Sequence, residues 1–404
     1  MFRQVARLVI SGIMYFVALH STPSGLLGEC AGRDVNQTQR ATHFPSFDRR
    51  LLLEATSDTS ANVSIGDVDG DGNLDIVLAK GRHWPLKNRV LLGDGRGGIR
   101  AAYDLDTVAD RSYSARLVDI DGDGDLDIVI SNDAPDPKLV YMNDGKGHFR
   151  RGSTYGRAEW ETRNASIADL NGDRLPDIVV ANRSNSGANY ICLNKGRGRF
   201  DADCIPFSHY PSTTITPADF NRDGRIDLAV PHRDGGQSYV YLAGPNADFS
   251  DSRRVPFGPP DATIRMAEAA DLNGDGFMDI VAIDERTGVA IYFGKQDGTF
   301  TSGVLIGDRT IVPYALAVGD LNLDGKVDIV VGSVEARSTI YFNDGSGRSF
   351  KTVHFGDNKG TVYGFAIADL DHDGLLDIAV ARSEAPNVVY FGTREIPNVP
   401  RSER

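Results

Sequence analysis

Short apolar runs recur along the chain at a nearly constant interval. The first run, Ile-Val-Leu-Ala, follows Asp75 directly, and similar runs follow six further aspartates. A run of four or five apolar residues rich in Val and Ile, bounded by Asp-Gly turns, is typical of a buried strand. The sequence shows no amphipathic stretch of helical length. The pattern therefore predicts an all-β protein.

A nine-residue acidic loop ends where each apolar run begins. Its pattern is Asp-x-Asp/Asn-x-Asp-x-x-x-Asp, and the seven copies begin at Asp67, Asp119, Asp169, Asp219, Asp271, Asp320 and Asp369. Their spacing of 49 to 52 residues indicates a repeat architecture. In the second copy one strand ends at Val118, two more span 128–131 and 139–143, and a fourth starts at Phe149. Four short strands per repeat predict a β-propeller blade.

The two ends of the chain hold complementary parts of one blade. After Asp369 the sequence supplies a second strand and a third strand that ends near Phe391, but no fourth strand. Phe47 lies 20 residues before Asp67, the interval at which a phenylalanine opens the fourth strand elsewhere. Those phenylalanines are Phe149, Phe200, Phe249, Phe300 and Phe350. We therefore predict a seven-bladed β-propeller with four antiparallel strands per blade, the seventh blade being closed by the N-terminal strand.

The acidic loops are predicted to bind calcium, up to seven ions in all. Oxygen-bearing side chains at positions 1, 3, 5 and 9 form a hard ligand set, and a glycine at position 6 permits the tight curl. The third loop has Arg174 at position 6 and Pro176 at position 8, so we expect it to be the weakest site. Position 12 is apolar in every copy, which excludes the bidentate glutamate of an EF-hand. The alternative is a set of solvated Asp-Gly turns without metal.

The predicted metal ligands are Asp67, Asp69, Asp71 and Asp75; Asp119, Asp121, Asp123 and Asp127; Asp169, Asn171, Asp173 and Asp177; Asp219, Asn221, Asp223 and Asp227; Asp271, Asn273, Asp275 and Asp279; Asp320, Asn322, Asp324 and Asp328; and Asp369, Asp371, Asp373 and Asp377. The formal net charge is −13. The 24 aspartates in this list account for the negative net charge, since the rest of the chain is positive. Seven bound divalent ions would bring the net charge close to zero. The acidic balance thus indicates metal sites and argues against nucleic-acid binding.

The motif Asp-Gly-Asp-Gly-x-x-Asp-Ile-Val, nearly intact in most copies, resembles the FG-GAP or VCBS repeat family, which includes the propeller of integrin α-subunits. The similarity covers roughly residues 43–395. It implies calcium loops on one face, with ligands at the opposite face or in clefts between blades. Members of the family include adhesion modules, lectins and a minority of polysaccharide lyases, so the resemblance defines no activity.

The N-terminal segment reads as a secretory signal peptide. Arg3 and Arg7 precede an apolar stretch, Leu8 to Leu19, that is too short to span a bilayer. We divide the chain into a signal peptide (1–28), a linker (29–42), the propeller (43–395) and a tail (396–404), and we expect an exported protein that is secreted, periplasmic or held at the cell surface. Cys192 and Cys204 flank a predicted turn; they form either a disulfide or two buried thiols.

Two rings of residues are predicted around the entrance of the central channel, on the face opposite the acidic loops. The first ring, thirteen residues after the first aspartate of each loop, comprises Lys80, Asn132, Asn182, His232, Asp284, Ser333 and Arg382. The second ring, six residues before that aspartate, comprises Ala61, Tyr113, Arg163, Thr213, Arg265, Tyr314 and Tyr363. Tyr, Arg, Asn and His suit hydroxyl-rich or anionic ligands. The alternative is that strand ends are polar only because they meet water.

Three functions are compatible with the sequence. The first is a non-catalytic module that binds a glycan or an extracellular protein, with no nucleic acid and no membrane span. Its candidate ligand-binding residues are Lys80, His83, Trp84, Tyr113, Asn132, Trp160, Arg163, Asn182, His232, Arg265, Tyr314, Tyr363 and Arg382. The second is a lyase for an anionic polysaccharide, with His232, Tyr113, Arg163 and Asn182 as catalytic candidates. The third is a structural spacer or surface protein.

Overall fold

A computed structural model describes residues 44–183 and 187–394, which form seven four-stranded antiparallel sheets. The prediction of a seven-bladed propeller is confirmed. The predicted signal peptide, linker and tail lie outside the described residues. In the described part of the chain, no helix is long and apolar enough to cross a membrane.

The strands follow the chain from blade to blade. Blade 1 contains β2 (Ser60–Gly66), β3 (Asp75–Lys80), β4 (Arg89–Gly93) and β5 (Ile99–Asp104); blade 2 contains β6 (Ser112–Val118), β7 (Asp127–Asn132), β8 (Leu139–Met142) and β9 (Arg150–Thr154); blade 3 contains β10 (Thr162–Ala168), β11 (Asp177–Asn182), β12 (Asn189–Cys192) and β13 (Ile205–Ser208). Blade 4 contains β14 (Thr216–Ala218), β15 (Asp227–Val230), β16 (Ser238–Tyr241) and β17 (Arg254–Phe257), with 3-10 turns at Pro245–Ala247 and Asp251–Arg253; blade 5 contains β18 (Ile264–Ala270), β19 (Asp279–Asp284), β20 (Gly288–Tyr292) and β21 (Val304–Ile306). Blade 6 contains β22 (Pro313–Gly319), β23 (Asp328–Ser333), β24 (Ser338–Asn343) and β25 (Phe350–Phe355); blade 7 contains β26 (Thr361–Ala368), β27 (Asp377–Ser383), β28 (Val388–Thr393) and β1 (Ser46–Leu52).

The N-terminal strand closes the ring as predicted. β1 pairs with β28 in the order β1-β28-β27-β26, so blade 7 takes its outer strand from the opposite end of the chain. Phe47 is buried and packs on Phe355 of blade 6, with ring centroids 5.7 Å apart. The backbone N–H of Leu53 also donates to the carbonyl of Asn387 at 2.9 Å. Closure removes the edge that β28 would otherwise expose.

The first strands of successive blades pack side by side around the central axis, and the second strands behind them are fully buried. This arrangement explains why the second strands are continuous apolar runs: they contact a neighbouring blade on each face. The core consists of clusters formed between neighbouring blades; Val77 of blade 1 and Ile130 of blade 2, for example, belong to the same cluster.

One detail of the predicted strand boundaries is wrong. In blades 3, 4 and 5 the fourth strand starts four or five residues after the phenylalanine that was expected to open it. Phe200 and Phe300 instead form isolated bridges with Asn194 and Gly294, and Phe249 precedes a 3-10 turn. Their rings still pack in the interior. In these three blades the phenylalanine therefore marks a position in the core and does not mark the start of a strand.

Cys192 and Cys204 form a disulfide, with their Cα atoms 4.5 Å apart. Cys192 lies at the end of β12, and Cys204 directly precedes β13. Of the two sequence alternatives, the structure thus shows the pairing.

A buried ion pair joins blade 7 to blade 1 just beyond the closing strand. The Lys80 ammonium donates to the Glu54 carboxylate at 2.5 Å, and both side chains are less than 5% exposed. The Asn387 amide donates to the other Glu54 oxygen at 2.6 Å and to Ser60 at 2.7 Å. Glu54 therefore connects three elements that are far apart in the sequence.

We expect Glu54→Ala to lower the free energy of unfolding by about 3 kcal/mol, because it leaves Lys80 buried without its nearest counter-charge. Urea denaturation would measure the loss. The double variant Glu54→Ala/Lys80→Met is the control and should lose less, since it removes both charges. A single variant as stable as the native protein would show that this ion pair does not contribute to closure.

Candidate functional site

The acidic loops curl through two residues with left-handed backbone. Position 6 has a positive φ in all seven loops, from 69° at Arg174 to 100° at Gly124. Position 4 also has a positive φ throughout, and it is Arg222, Leu323 and His372 in three of the loops. Glycine at position 6 of six copies signals this requirement in the sequence, whereas position 4 gives a weaker signal because only four copies carry glycine there.

Two aspartates in each loop hold the curl by accepting backbone hydrogen bonds. The aspartate at position 1 accepts from the N–H of position 6, as Asp119 does from Gly124 at 3.0 Å. The aspartate at position 9 is fully buried, and its two oxygens accept from position 2 of the loop and from the end of the third strand. For Asp127 these donors are Ile120 at 3.2 Å and Asn143 at 2.8 Å. The ninth aspartate thus joins the loop to the rest of its blade.

The same loops bring carboxylates together. In three of them, three ligand atoms lie within 4.8 Å of one another: Asp67, Asp69 and Asp71; Asp119, Asp121 and Asp127; and Asp369, Asp371 and Asp377. Burial, together with the neighbouring carboxylates, raises the pKa of Asp127 and of Asp377 to about 7. Such mutual repulsion favours a bound cation. An all-oxygen donor set on a tightly curled loop fits a hard divalent ion of the size of calcium.

A cavity of about 460 Å³ occupies the central channel. It extends from Asp67, at the acidic-loop face, to Tyr113, Arg163 and Tyr363 at the opposite end of the first strands. We call this opposite end, lined by Arg82, Tyr113, Arg163, Arg265, Tyr314 and Tyr363, the channel mouth. Both ends of the cavity thus carry polar side chains.

A β-bulge directs the second predicted ring into the channel. In six blades the pairing of the first and second strands skips the residue six positions before the acidic loop, and these residues are Ala61, Tyr113, Arg163, Arg265, Tyr314 and Tyr363. The skipped residue has no partner in the ladder, and bulges of this kind re-aim side chains. The corresponding residue of blade 4, Thr213, also lines the cavity. All seven residues of the ring thus line the channel.

Arginine and tyrosine side chains alternate around most of the channel mouth. Arg265 stacks over Tyr314 at 3.3 Å, Tyr314 meets Tyr363 edge to face at 4.8 Å, and Arg82 stacks over Tyr363 at 4.0 Å. Arg82 also lies 5.3 Å from the ring of Tyr113, and Arg163 lies 4.5 Å from the same ring. This belt spans blades 5, 6, 7, 1, 2 and 3 in order, and cation–π contacts hold it together.

Arg82 fills the place that Ala61 leaves empty in blade 1. It comes from the turn after β3 and adopts a left-handed backbone, with φ of 53°. The preceding Gly81 has φ of 112°, and a Cβ there would lie 2.4 Å from the carbonyl of Trp84. Unfavourable backbone geometry of this kind is often found at ligand sites. Arg82 is absent from the candidates chosen from the sequence, and the small side chain of Ala61, in a ring of larger ones, was the available signal.

The charged groups at the channel mouth alter the ionisation of the tyrosines. Burial opposes ionisation of Tyr314, but the guanidinium groups of Arg265 and Arg82 outweigh it and lower its pKa from the usual value. Burial raises the pKa of Tyr363 to about 12. Burial, together with Arg82 and Arg163, lowers the pKa of His83, which lies 3.1 Å from the Tyr113 hydroxyl. These surroundings favour the neutral form of the His83 imidazole.

Two opposite charges lie deeper in the channel. Arg116 donates to the carbonyl of Ala165 and to the side chain of Asn164, both at 3.1 Å. Glu268 lies on β18, three residues further along that strand than Arg265, and burial raises its pKa to about 7. Ser64, Ser166 and Thr216 occupy the same level of their blades and donate to the next blade's carbonyl as Arg116 does. These bonds fasten the first strands of neighbouring blades to one another.

The first predicted ring lies mostly within the blades. Lys80 pairs with Glu54; Asn132 and Asn182 bond the starts of their own first strands; Arg382 pairs with Asp357 at 2.6 Å. Asp284 accepts from Thr287 in a tight turn, and Ser333 is buried. His232 packs against Tyr210, with ring centroids 4.9 Å apart, and does not line the cavity. Of the four catalytic candidates, the structure brings Tyr113 and Arg163 together, whereas His232 and Asn182 lie elsewhere.

The two tryptophans lie in different environments. Trp84 follows His83 in the turn beside the channel mouth, and 71% of its surface is exposed. Trp160 stacks face to face on Tyr190 in blade 3, with centroids 3.9 Å apart and an angle of 8° between the planes. Trp84 therefore has a free aromatic face, whereas one face of Trp160 is covered.

The repeats match the model of a known protein family. The model of the FG-GAP-like repeat matches six overlapping segments, residues 67–130, 119–180, 169–230, 219–282, 271–331 and 320–380. The chain belongs to the FG-GAP-like repeat family. Each matched segment runs from one acidic loop to the apolar run after the next loop, so the matches follow the seven loops described above. No curated protein sequence matches this FG-GAP-like protein.

Solved structures share the propeller fold. A lectin from Burkholderia pseudomallei, BP39L, superposes with a TM-score of 0.60 at 14% identity, covering 83% of this chain and 99% of its own. A lectin from Agrocybe aegerita that recognises non-reducing terminal N-acetylglucosamine gives 0.53 at 21% identity, covering 81% and 87%. A rhamnogalacturonan lyase from Bacillus licheniformis gives 0.51 at 12% identity, covering 87% and 76%. At these identities the likeness shows the fold alone.

Proposed function

We propose that this FG-GAP-like protein is an exported, calcium-stabilised binding module that holds a glycan at the channel mouth. The observation that carries the proposal is the belt of arginines and tyrosines around the open end of a cavity of about 460 Å³. Aromatic faces stack on sugar rings, and guanidinium groups donate paired hydrogen bonds to sugar oxygens. Two lectins among the structures of this fold show that the fold is able to carry a glycan site.

Calcium is proposed for the acidic loops, where the aspartates of positions 1, 5 and 9 and the aspartate or asparagine of position 3 would hold it together with the carbonyl of position 7. Three carboxylates that approach one another within 4.8 Å in each of three loops support a cation there. Export is supported by the Cys192–Cys204 disulfide, because such bonds persist in oxidising compartments.

A glycan array would test the binding function. We expect a defined subset of glycans to bind the native protein, and Trp84→Ala and Tyr363→Ala to weaken that binding by about tenfold or more. Trp160→Ala is the matched control, since Trp160 lies on the stacked pair away from the mouth. If only the Trp160 variant abolished binding, the glycan site would lie in blade 3 and not at the channel mouth. An array without signal would favour the structural spacer.

A lyase is the second candidate, favoured by the position of Tyr314 between Arg265 and Tyr363 at the channel mouth. The Tyr314 hydroxyl, as the base, would remove the C5 proton of a uronate whose carboxylate Arg265 and Arg82 neutralise. The C4–O bond would break, the leaving oxygen would take up a proton, and a C4–C5 double bond would form. Ultraviolet absorbance of unsaturated products from a uronate polymer would detect it, and Tyr314→Phe should abolish the signal.

The third acidic loop is expected to bind calcium most weakly. Arg174 carries a φ of 69°, which disfavours any residue except glycine, and its cationic side chain sits on the loop that would hold the ion. Arg174→Gly should raise the calcium affinity of this one site by about tenfold. The control is Arg197→Gly, which removes the same side chain from a similar φ of 58° in a turn outside the acidic loops. Calorimetric titration would compare them, and equal effects of the two variants would contradict the prediction.

A further inference from the structure

Five arginines line the cavity at or beside the channel mouth, and they differ in their ion pairs. Arg163 pairs with Asp133 at 2.5 Å, and Arg183 with Asp234 at 3.1 Å. Arg233 and Arg265 share Glu285, at 2.5 and 2.8 Å. In the described part of the chain, Arg82 makes no ion pair; its guanidinium stacks over the ring of Tyr363 and interacts with the hydroxyls of Tyr113 and Tyr314.

The carboxylates of these pairs lie behind the arginines. All five arginines line the cavity, whereas Asp133, Asp234 and Glu285 do not. The acidic residues that line the cavity within residues 44–183 and 187–394 are Asp67, at the far end, and Glu268, three residues deeper than Arg265. The surface that a ligand meets at the mouth is therefore positive.

The local structure holds Arg82 in place for a ligand. The backbone N–H of Gly81 donates to Thr59 at 3.0 Å, and that of Arg82 donates to Ser112 in blade 2 at 3.1 Å. The turn is thus attached to the segment that enters blade 1 and to the first strand of blade 2. The guanidinium lies over the ring of Tyr363, and its N–H groups, which lie in its own plane, have no carboxylate among the described residues to bind. A guanidinium that is held by stacking and has no carboxylate partner among the described residues is suited to a two-point bond with a planar anion.

We propose that Arg82 anchors a carboxylate of the ligand, so that this protein selects glycans that carry uronic acid residues. The inference rests on the proposed glycan-binding function and specifies its ligand class. In this arrangement the uronate carboxylate lies against the edge of the Arg82 guanidinium, beside the hydroxyls of Tyr314 and Tyr363. The exposed face of Trp84, in the same turn, offers a surface for a neighbouring sugar ring.

The test compares three probes by calorimetry on the full-length protein with calcium: trigalacturonate, its methyl ester and a neutral galactose trisaccharide. Trigalacturonate should bind, and esterification should weaken binding by about 10- to 100-fold, because it removes the charge but keeps the sugar. A sulfated galactose trisaccharide and free galacturonate form two further arms. Binding of the sulfated sugar as tight as that of trigalacturonate would overturn the selection of carboxylates.

Arg82→Gly is the principal variant, because glycine suits the left-handed backbone at this position and the protein should fold. It should lower affinity for trigalacturonate by about 10- to 100-fold, and Arg82→Lys should be intermediate since lysine keeps the charge but loses the paired geometry. The matched control is Arg286→Ala, which removes an exposed arginine paired with Asp261 and should change affinity less than about twofold. Melting curves of all variants verify folding.

The outcomes separate this inference from the proposed function. If neutral and acidic sugars bind equally and Arg82→Gly has no effect, the carboxylate inference is overturned while the glycan function stands. If free galacturonate binds in an Arg82-dependent way but no oligosaccharide does, the anchor stands and the glycan function fails. Absence of binding by every probe overturns both.

Discussion

Deletion of residues 44–55 is expected to remove most of the stability of the ring, a loss above about 5 kcal/mol. The deletion takes away β1 and the buried ring of Phe47, and with them Glu54, which bonds both Asn387 and Lys80. It also exposes β28 as an unpaired edge, which promotes aggregation. Urea denaturation and light scattering would measure both effects.

The control for this deletion is removal of residues 397–404, which lie outside the described residues. We read that segment from its sequence as a charged tail and expect its loss to change stability by less than about 0.5 kcal/mol. Equal losses from the two truncations would refute the closing role of the N-terminal strand.

Removal of calcium should lower the melting temperature by about 10 °C or more. An ion that binds only the folded state adds about 2.7 kcal/mol per site when present at a hundred times its dissociation constant, and the chain has seven loops. Without the ion, clustered carboxylates such as Asp119, Asp121 and Asp127 repel one another. The measurement is a melting curve with a calcium chelator and again after calcium is restored.

Elemental analysis of the purified protein provides the second readout. Restoring calcium should recover the original curve, and magnesium should recover less, because it demands a smaller octahedral site. A curve that does not respond to the chelator, from a protein that holds no metal, would falsify calcium binding by the loops.

The candidate site was predicted in part. Counting six residues back from each acidic loop located Tyr113, Arg163, Arg265, Tyr314 and Tyr363, and the structure places all of them at the channel mouth. The count worked because six of the seven blades repeat the same bulge six residues before the acidic loop. The residues thirteen positions after the start of each loop have a similar composition to this ring. The structure places those residues in turns and between blades, away from the channel mouth.

The predictions for that other ring could not have been refined from the sequence. Whether a polar residue at a strand end meets a ligand or bonds its neighbours depends on the turn that follows it. Lys80 is buried beside Glu54, which follows the closing strand β1 near the start of the chain. Arg82 enters the belt because Ala61 leaves space and the Gly81 turn is attached to blade 2. Both outcomes depend on contacts between separate segments.

The sequence by itself determined the repeat, the strands and the closure of the ring. These features follow from local rules: the Asp-Gly loops dictate turns, apolar runs dictate buried strands, and a missing strand at one end matches a spare strand at the other. The acidic loops belong to the same class, since the residues proposed to bind calcium lie within nine consecutive positions.

Only the tertiary structure decided the character of the channel mouth. Its belt joins residues from six blades, and its charge depends on which arginines have a carboxylate behind them. No local pattern encodes that arrangement, because each contact joins side chains that the sequence separates by a blade or more. The unpaired guanidinium of Arg82, on which ligand selection is proposed to depend, arises from the packing of the whole ring.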